Sequence, residues 1–158
     1  MYGKIIAPDQ AQKRLLHIKS LNTKLVFTNG CFDLLHPGHI EYLIAARAFG
    51  SQLIVGVNDD ASVSRLKGPS RPYNTLQDRM AMLAALQSVD YVIPFSEDTP
   101  LELITAIRPH IIVKGGDYTP DQMIGADLVQ GYGGEVVILP FKEGYSSTGL
   151  IEKIRGGG

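Results

Sequence analysis

Two histidines lie three residues apart in the stretch HPGH, where His36 and His39 enclose Pro37 and Gly38. The proline suits the first turn of a helix, and residues three apart on a helix point to the same side. The N-terminus of a helix favours anions, because its amides are unpaired and its dipole is positive there. Two imidazoles could donate hydrogen bonds to phosphate oxygens, and the glycine would let a ligand approach the backbone. The stretch therefore predicts a phosphate-binding site.

Two other roles remain open for such a pair. One histidine could cap a strand while the other packs against its neighbours, or both could belong to a zinc site. A zinc site needs further ligands, and no third ligand follows at a suggestive spacing. Cys31, the one cysteine, lies at the end of the preceding apolar run and has the character of a small packed residue.

The whole chain has the composition of an ordinary globular domain. It has 158 residues, 44% of them hydrophobic and 20% charged, with a net charge of -1. This balance argues against a nucleic-acid surface and against a disordered chain. The uncharged stretches are too short to span a bilayer, and the start does not resemble a signal peptide. We therefore expect one domain over residues 1–158, in the cytoplasm, with a helical extension at 1–23 and a disordered tail at 156–158.

Five short runs are nearly continuous in apolar, often branched residues, which is typical of strands that are covered on both faces. They begin at Lys24, Gln52, Asp90, His110 and Glu135. Segments with helical spacing lie between them, at about 37–49, 76–87 and 100–107, with Thr75, Thr99 and Thr119 as candidate N-caps, and an additional helix at about 9–21 precedes the first strand. Strands that alternate with helices predict an α/β fold with a parallel sheet.

Polar residues and glycines follow four of these runs, at the edge where ligands collect in open α/β sheets. They are Thr28, Asn29 and Gly30, then Asn58 and Asp59, then Lys114, Gly115, Gly116 and Asp117, and finally Ser146, Ser147 and Thr148. This concentration predicts one ligand site at that edge.

These residues carry a resemblance to a known family. The stretch FTNGCFDLLHPGH resembles the first signature of the H-x-G-H nucleotidyltransferase superfamily, and GYSSTGLIEKIR is similar to its second. The stretches NDDASVSRLKGPSRPYN, QDRMAMLAAL, VDYVIPFSEDTP and VKGGDY resemble the D-glycero-β-D-manno-heptose 1-phosphate adenylyltransferases, which make ADP-heptose for lipopolysaccharide core. The resemblance runs from about Leu25 to Arg155 and departs at Tyr145, where relatives usually have glycine or cysteine. It implies a Rossmann-like domain whose five parallel strands have the order 3-2-1-4-5, with helices on both faces.

The resemblance also implies a reaction and roles. The sugar 1-phosphate attacks the α-phosphorus of ATP, and pyrophosphate departs. Catalytic roles fall to His36, His39 and Lys67. The residues expected to bind the nucleotide are Thr28, Asn29, Gly30, Phe32, Asp33, Gly38, Gly115, Gly116, Asp117, Tyr118, Ser146, Ser147 and Thr148. Those expected to bind the sugar phosphate are Arg65, Arg71, Arg79, Asn58 and Asp59. Mg²⁺ would be held mainly by the triphosphate, and Asp33 could contact it through water.

Several of these roles have plainer alternatives. Lys67 could be a solvated loop cation, Arg79 an exposed helix arginine paired with Asp78 or Glu102, and Asp33 a turn residue. A cytidylyltransferase acting on glycerol 3-phosphate or another small alcohol phosphate would use the same phosphate machinery, and a nucleotide-binding domain without turnover is a third possibility. We expect small-molecule substrates, a homo-oligomer, and neither nucleic acid nor membrane as a partner.

Overall fold

The computed structural model describes residues 2–117, 119–140 and 144–157, and its centre is one five-stranded sheet. All strand pairings are parallel, and the order is β3-β2-β1-β4-β5. The predicted topology is therefore confirmed. The strands are β1 (Leu25–Gly30), β2 (Gln52–Asn58), β3 (Tyr91–Phe95), β4 (Ile111–Gly115) and β5 (Glu135–Leu139).

Seven α-helices surround the sheet in the described part of the chain. They are α1 (Pro8–Ser20), α2 (Pro37–Arg47), α3 (Asp60–Lys67), α4 (Leu76–Ala85), α5 (Leu101–Ile107), α6 (Ala126–Gly131) and α7 (Ser147–Gly156). Short 3-10 turns occupy Tyr2–Lys4 and Pro120–Gln122. None of the helices in these described ranges combines the length and the apolar character that a membrane crossing would need.

Two hydrophobic clusters pack against opposite faces of the sheet, because successive side chains of a strand point to opposite sides. In β1, Val26 belongs to the cluster formed with α2 and α4, whereas Leu25 and Phe27 belong to the cluster formed with α1, α5 and α6. Every strand between the edges is thus covered on both sides. This coverage explains why the strands are nearly continuous in apolar residues and why the sequence reveals them so clearly.

The structure differs from the sequence-based expectations mainly in the helix α3 and in one helix N-cap. The sequence predicts a loop around Lys67, but this lysine is the last residue of α3, which was missed because it buries only Ser62 and Val63. The predicted N-cap at Thr75 is confirmed by a bond from the Asp78 amide, whereas the N-cap expected at Thr99 is wrong, because Pro100 occupies that position.

The N-terminal extension is attached to the sheet edge as well as to its face. Ile5 forms a parallel bridge with Val92 of β3, and the Ile6 amide donates to the Val92 carbonyl at 2.9 Å. The Lys4 ammonium donates to the carbonyls of Leu86 and Val89 at 3.0 and 2.6 Å. The first residues therefore run along the outer side of β3. At the other end, Gly156 is the last residue of α7, and Gly158 lies outside the described residues.

Candidate active site

The HPGH motif forms the start of α2, directly beyond the carboxyl end of β1. His36 is the N-cap residue and Pro37 the first helical residue, as the sequence predicts. The imidazoles of His36 and His39 stack with their centroids 3.8 Å apart and their planes at 24°. Phe32, whose φ of 48° turns the chain sharply after β1, packs its ring 5.5 Å from that of His39. The local chain reversal thus brings both histidines to the sheet edge.

Both imidazoles are neutral near pH 7. Burial lowers the pKa of His36 below its ordinary value, and burial together with the charge of His36 lowers the pKa of His39 to about 4. The Nδ1 atoms of both rings are buried and have no hydrogen-bond partner among the described residues. Buried polar atoms are rarely left unpaired in proteins. The two rings therefore have hydrogen-bonding capacity that a ligand can use.

Three adjoining clefts open at this edge of the sheet. The histidine cleft contains the histidine pair with Gly30, Gly115, Tyr145 and Ser146. The basic cleft includes Asp33, Asn58, Lys67, Arg71, Ser147 and Thr148. The side cleft includes Pro100, Gln122, Met123 and Ile124. Most of the site residues expected from the sequence therefore come together, with Asn29, Phe32 and Gly38 also lining the histidine cleft.

The start of α7 closes one side of the site. The Ser146 hydroxyl accepts from the Gly149 amide at 2.8 Å, so the residue caps the helix as well as lining the histidine cleft. Ser147 donates to the carbonyl of Leu34 at 3.2 Å, which joins α7 to the loop before α2. A Cβ atom at Gly38 would lie 3.0 Å from the Cβ of Tyr145. The glycine thus permits the approach of this loop to α2, a reason that the sequence did not reveal.

The carboxylate of Asp33 accepts hydrogen bonds from the protein and is not available to a metal ion. Its carboxylate is fully buried and accepts from the Tyr73 and Asn74 amides and from the Arg71 guanidinium at 2.6 to 3.0 Å. Burial alone would raise the pKa of Asp33, but these hydrogen bonds and the charge of Arg71 hold it below its ordinary value. The expected contact with Mg²⁺ does not fit these hydrogen bonds, which secure the loop at 71–74.

Arg79 is buried, so the alternative of an exposed helix arginine is wrong. Its guanidinium donates to the carbonyls of Asn74, Cys31 and Asn58 at 2.7 to 3.1 Å and to the carboxylate of Asp60 at 2.7 Å. These bonds hold together the ends of β1 and β2, the start of α3 and the loop before α4. Arg79 therefore stabilises the backbone segments that form the site. Its guanidinium is not placed to bind a sugar phosphate.

Other expected residues also turn away from the clefts. The Thr28 hydroxyl is buried and pairs with the Tyr42 hydroxyl at 2.7 Å. Asp59 caps α3 by accepting from the Ser62 amide at 2.7 Å. Arg65 pairs with Asp98 at 2.7 Å on the rim.

The segment after β4 is only partly described. Gly116 has a φ of 132° and donates its amide to the Leu139 carbonyl, so a glycine is required at this turn. Asp117 is exposed, and Tyr118 lies outside the described residues.

Lys114 is the site residue that the sequence reading underrated. The sequence places it near the predicted ligand site but gives it no role of its own, yet Lys114 lines all three clefts. The sequence does contain an indication of this role, because Lys114 is the one charged residue in the run IIVKG, near the carboxyl end of β4. Lysines are rarely buried in strands without a functional or pairing reason.

Known proteins resemble this chain over nearly its whole length. It is 61% identical over 135 residues to the bifunctional protein HldE of Pseudomonas syringae pv. syringae, which covers 85% of the chain and 28% of that relative. The bifunctional protein HldE of Trichlorobacter lovleyi is 55% identical over 152 residues, which covers 96% of the chain and 29% of the relative. The chain thus spans less than a third of the length of these curated relatives.

Solved structures show the same architecture. The lipopolysaccharide core biosynthesis protein from Thermoplasma volcanium superimposes with a TM-score of 0.60 at 28% identity, over 78% of this chain and 99% of that one. A pantoate-beta-alanine ligase from Francisella tularensis has a TM-score of 0.62 at 18% identity, over 92% of this chain and 69% of that one, and shares the fold. The family model described as cytidylyltransferase-like matches residues 27–153. The chain, with its paired histidines at the start of α2, therefore belongs to the cytidylyltransferase-like family.

Proposed function

We propose that the domain is an adenylyltransferase that transfers AMP from ATP to D-glycero-β-D-manno-heptose 1-phosphate, giving ADP-heptose and pyrophosphate for lipopolysaccharide core biosynthesis. The observation that carries the chemistry is the stacked pair of His36 and His39, whose Nδ1 atoms have no partner among the described residues. Family membership and the lysines of the adjoining clefts support it. The choice of ATP and heptose rests on the sequence motifs and is supported by the likeness to a lipopolysaccharide core biosynthesis protein.

The reaction needs positioned donors rather than a covalent intermediate. An oxygen of the sugar phosphate forms a bond to the α-phosphorus of ATP while the bond from that phosphorus to the pyrophosphate oxygen breaks. In our proposal, His36 and His39 donate hydrogen bonds to the oxygens of the α-phosphate, where negative charge is concentrated in the transition state. One such preorganised donor is worth about 3 kcal/mol. Because the rings are neutral and already stacked, they need little reorganisation.

The remaining phosphates would lie between α3 and α7. Ser147 and Thr148 line the basic cleft at the start of α7, where amides and the helix dipole favour the β- and γ-phosphates. Lys67, at the end of α3, lines the same cleft and would neutralise the departing pyrophosphate. The base and ribose would lie towards Gly115, Gly116 and Asp117, beyond the end of β4. The ribose hydroxyls of ATP would thus lie near Asp117, which is exposed.

Mg²⁺ would enter as part of the nucleotide substrate. No group of three or more His, Cys, Asp or Glu side chains in the described ranges could hold a metal ion. Asp33, the acidic residue considered for this role, accepts hydrogen bonds from the 71–74 loop instead. The protein's own contribution is therefore to bind the triphosphate that carries the ion, which neutralises phosphate charge. We place the reaction in the cytoplasm, where ATP is available, and propose a homo-oligomeric assembly.

The test is pyrophosphate release by the purified protein with Mg²⁺. ATP, CTP, GTP and UTP are each paired with β-heptose 1-phosphate, glycerol 3-phosphate and other phosphate monoesters. Release only with ATP and the heptose phosphate is the expected result. Release with CTP and another acceptor would refute the proposed substrates but retain the role of the histidines, and no release with any pair would refute the proposed activity.

A further inference from the structure

Lys114 occupies the junction of the three clefts. Of the residues that the structure describes, Asn29 and Lys114 are the two that line the histidine cleft, the basic cleft and the side cleft alike. In a two-substrate transfer, the nucleotide, the departing pyrophosphate and the acceptor must all meet at the reacting phosphorus. A side chain common to three adjoining clefts is therefore a candidate for contact with the reacting groups.

The ammonium group of Lys114 has no carboxylate partner among the residues that the structure describes. Three arginines of this region are each paired with a carboxylate, namely Arg65 with Asp98, Arg71 with Asp33 and Arg79 with Asp60. No carboxylate or other hydrogen-bond acceptor within residues 2–117, 119–140 and 144–157 pairs with Lys114. Burial lowers the pKa of Lys114; the neighbouring Cys31 opposes this shift, and the charge of Lys67 adds to it. A partly buried cation without a partner is unfavourable in the free protein and is best explained by an anionic ligand.

The position of the side cleft indicates which substrate provides the anionic ligand of Lys114. It extends from Lys114 towards Pro100, Gln122 and Met123, and none of these three lines the histidine cleft. Under the proposed function, the nucleotide's α-phosphate is held at the histidine pair. A second substrate approaching in line must arrive from another side. The side cleft provides such an approach, and Lys114 is part of its lining.

We propose that the ammonium group of Lys114 is a further catalytic group, which binds the phosphate of the acceptor sugar and directs its oxygen at the α-phosphorus, while the sugar occupies the side cleft. This inference rests on the proposed function. The attacking phosphate oxygen forms the new bond to phosphorus, the bond to pyrophosphate breaks, and Lys114 keeps its proton throughout. The anion supplies a countercharge that no described residue provides to Lys114.

The kinetic test compares Lys114→Met with the wild type and with Lys13→Met, which removes an exposed lysine from α1. We expect kcat/KM for the acceptor to fall about a hundredfold or more in Lys114→Met, whereas the Kd for ATP, measured by titration calorimetry, changes less than about threefold. Acceptor kinetics close to those of the wild type would overturn the proposal. An equal loss of ATP affinity would overturn it too, because Lys114 would then serve the nucleotide.

A stability measurement separates this role from a structural one. Lys114→Met removes an uncompensated charge and keeps an unbranched side chain, so its Tm should not be lower than that of the wild type. A lower Tm accompanied by equal losses for both substrates would identify Lys114 as a structural residue and overturn the proposal.

A labelling experiment remains informative if the wild type turns over no substrate pair, the result that would refute the proposed activity. Pyridoxal 5′-phosphate, followed by borohydride, labels lysines at phosphate sites, and mass spectrometry identifies them. Lys114 should be labelled and protected by inorganic phosphate, and Lys13 should not be protected. Labelling of Lys114 that inorganic phosphate does not reduce would overturn a phosphate site at this residue.

Discussion

His39 is the more deeply buried of the two stacked imidazoles, and its removal is the direct test of the phosphate role. We expect His39→Ala to lower turnover by about 10²- to 10³-fold, because one preorganised donor to the transition state is lost. The fold should persist, since Nδ1 of His39 has no protein partner among the described residues. Pyrophosphate release and thermal melting would be measured together.

The matched control for this variant is His17→Ala, which alters an exposed histidine of α1. It should leave turnover unchanged. Near-normal turnover of His39→Ala would remove the basis of the proposed mechanism, whereas loss of turnover in both variants would indicate a general effect on folding.

The pKa of His39 also predicts a pH dependence of stability. The ring titrates at about 4 in the folded protein and near 6.5 in the unfolded chain. Between these values the unfolded chain binds more protons, so the free energy of unfolding should fall as the pH is lowered from about 6.5 to about 4. Urea unfolding at pH 7 and pH 4.5 measures this loss. It should be smaller in His39→Gln, and an equal loss in both proteins would contradict the assignment.

At the scale of elements, Arg79 of α4 holds the pieces of the site together. Arg79→Leu keeps most of the side-chain volume but leaves the carbonyls of Cys31, Asn58 and Asn74 without this donor. We expect the free energy of unfolding to decrease by about 3 kcal/mol, because buried carbonyl oxygens are left without a hydrogen-bond donor. Urea denaturation is the measurement.

Arg65→Leu provides the comparison on the neighbouring helix α3. Its guanidinium forms an ion pair with Asp98, and both side chains are at least half exposed. Such pairs contribute less than about 1 kcal/mol, so the loss should be small. Equal losses in the two variants would show that Arg79 has no special structural role.

A further set of contacts connects the loop between β1 and α2 with the helix α7. Asp33 binds the 71–74 loop, and the Tyr73 hydroxyl of that loop accepts from Arg155 in the last turn of α7 at 2.8 Å. No residue of α7 is fully buried. Its position therefore depends on polar contacts such as this one and the bond from Ser147 to Leu34.

For the molecule as a whole, the sequence predicted the sheet much better than the details around it. Residues such as Val55 and Ile112 lie in strands covered on both faces, and the unbroken apolar runs of such strands are easy to detect. The helix α3 was missed because a helix with two buried residues has almost no apolar periodicity.

The side chains of the site were partly predictable for a related reason. The spacing of His36 and His39 is local, so the sequence displays it directly. The partners of Arg79 and the position of Lys114 between three clefts depend on contacts between distant segments, such as Cys31 and Arg79, which are 48 positions apart. Pattern reasoning on one sequence cannot supply those contacts.

Ligand binding should be visible in the stability of the whole domain. A ligand at about 100 times its Kd stabilises the folded state by about 2.7 kcal/mol. For a domain of this size, that corresponds to a rise in Tm of about 5 to 10 °C. We expect this rise with Mg-ATP and a smaller one with the same concentration of Mg-CTP. Thermal melting with each nucleotide is the measurement, and equal rises would contradict the preference for ATP.

The N-terminal segment has a consequence for solubility as well as for packing. Strand β3 forms one edge of the sheet, and an open edge is a template on which other chains can aggregate. Here the Ile6 amide donates a hydrogen bond to the Val92 carbonyl, and Pro94 has no amide hydrogen that could bond to another strand. The first residues of the chain therefore cover part of the β3 edge and leave fewer of its backbone groups available to a strand of a neighbouring molecule.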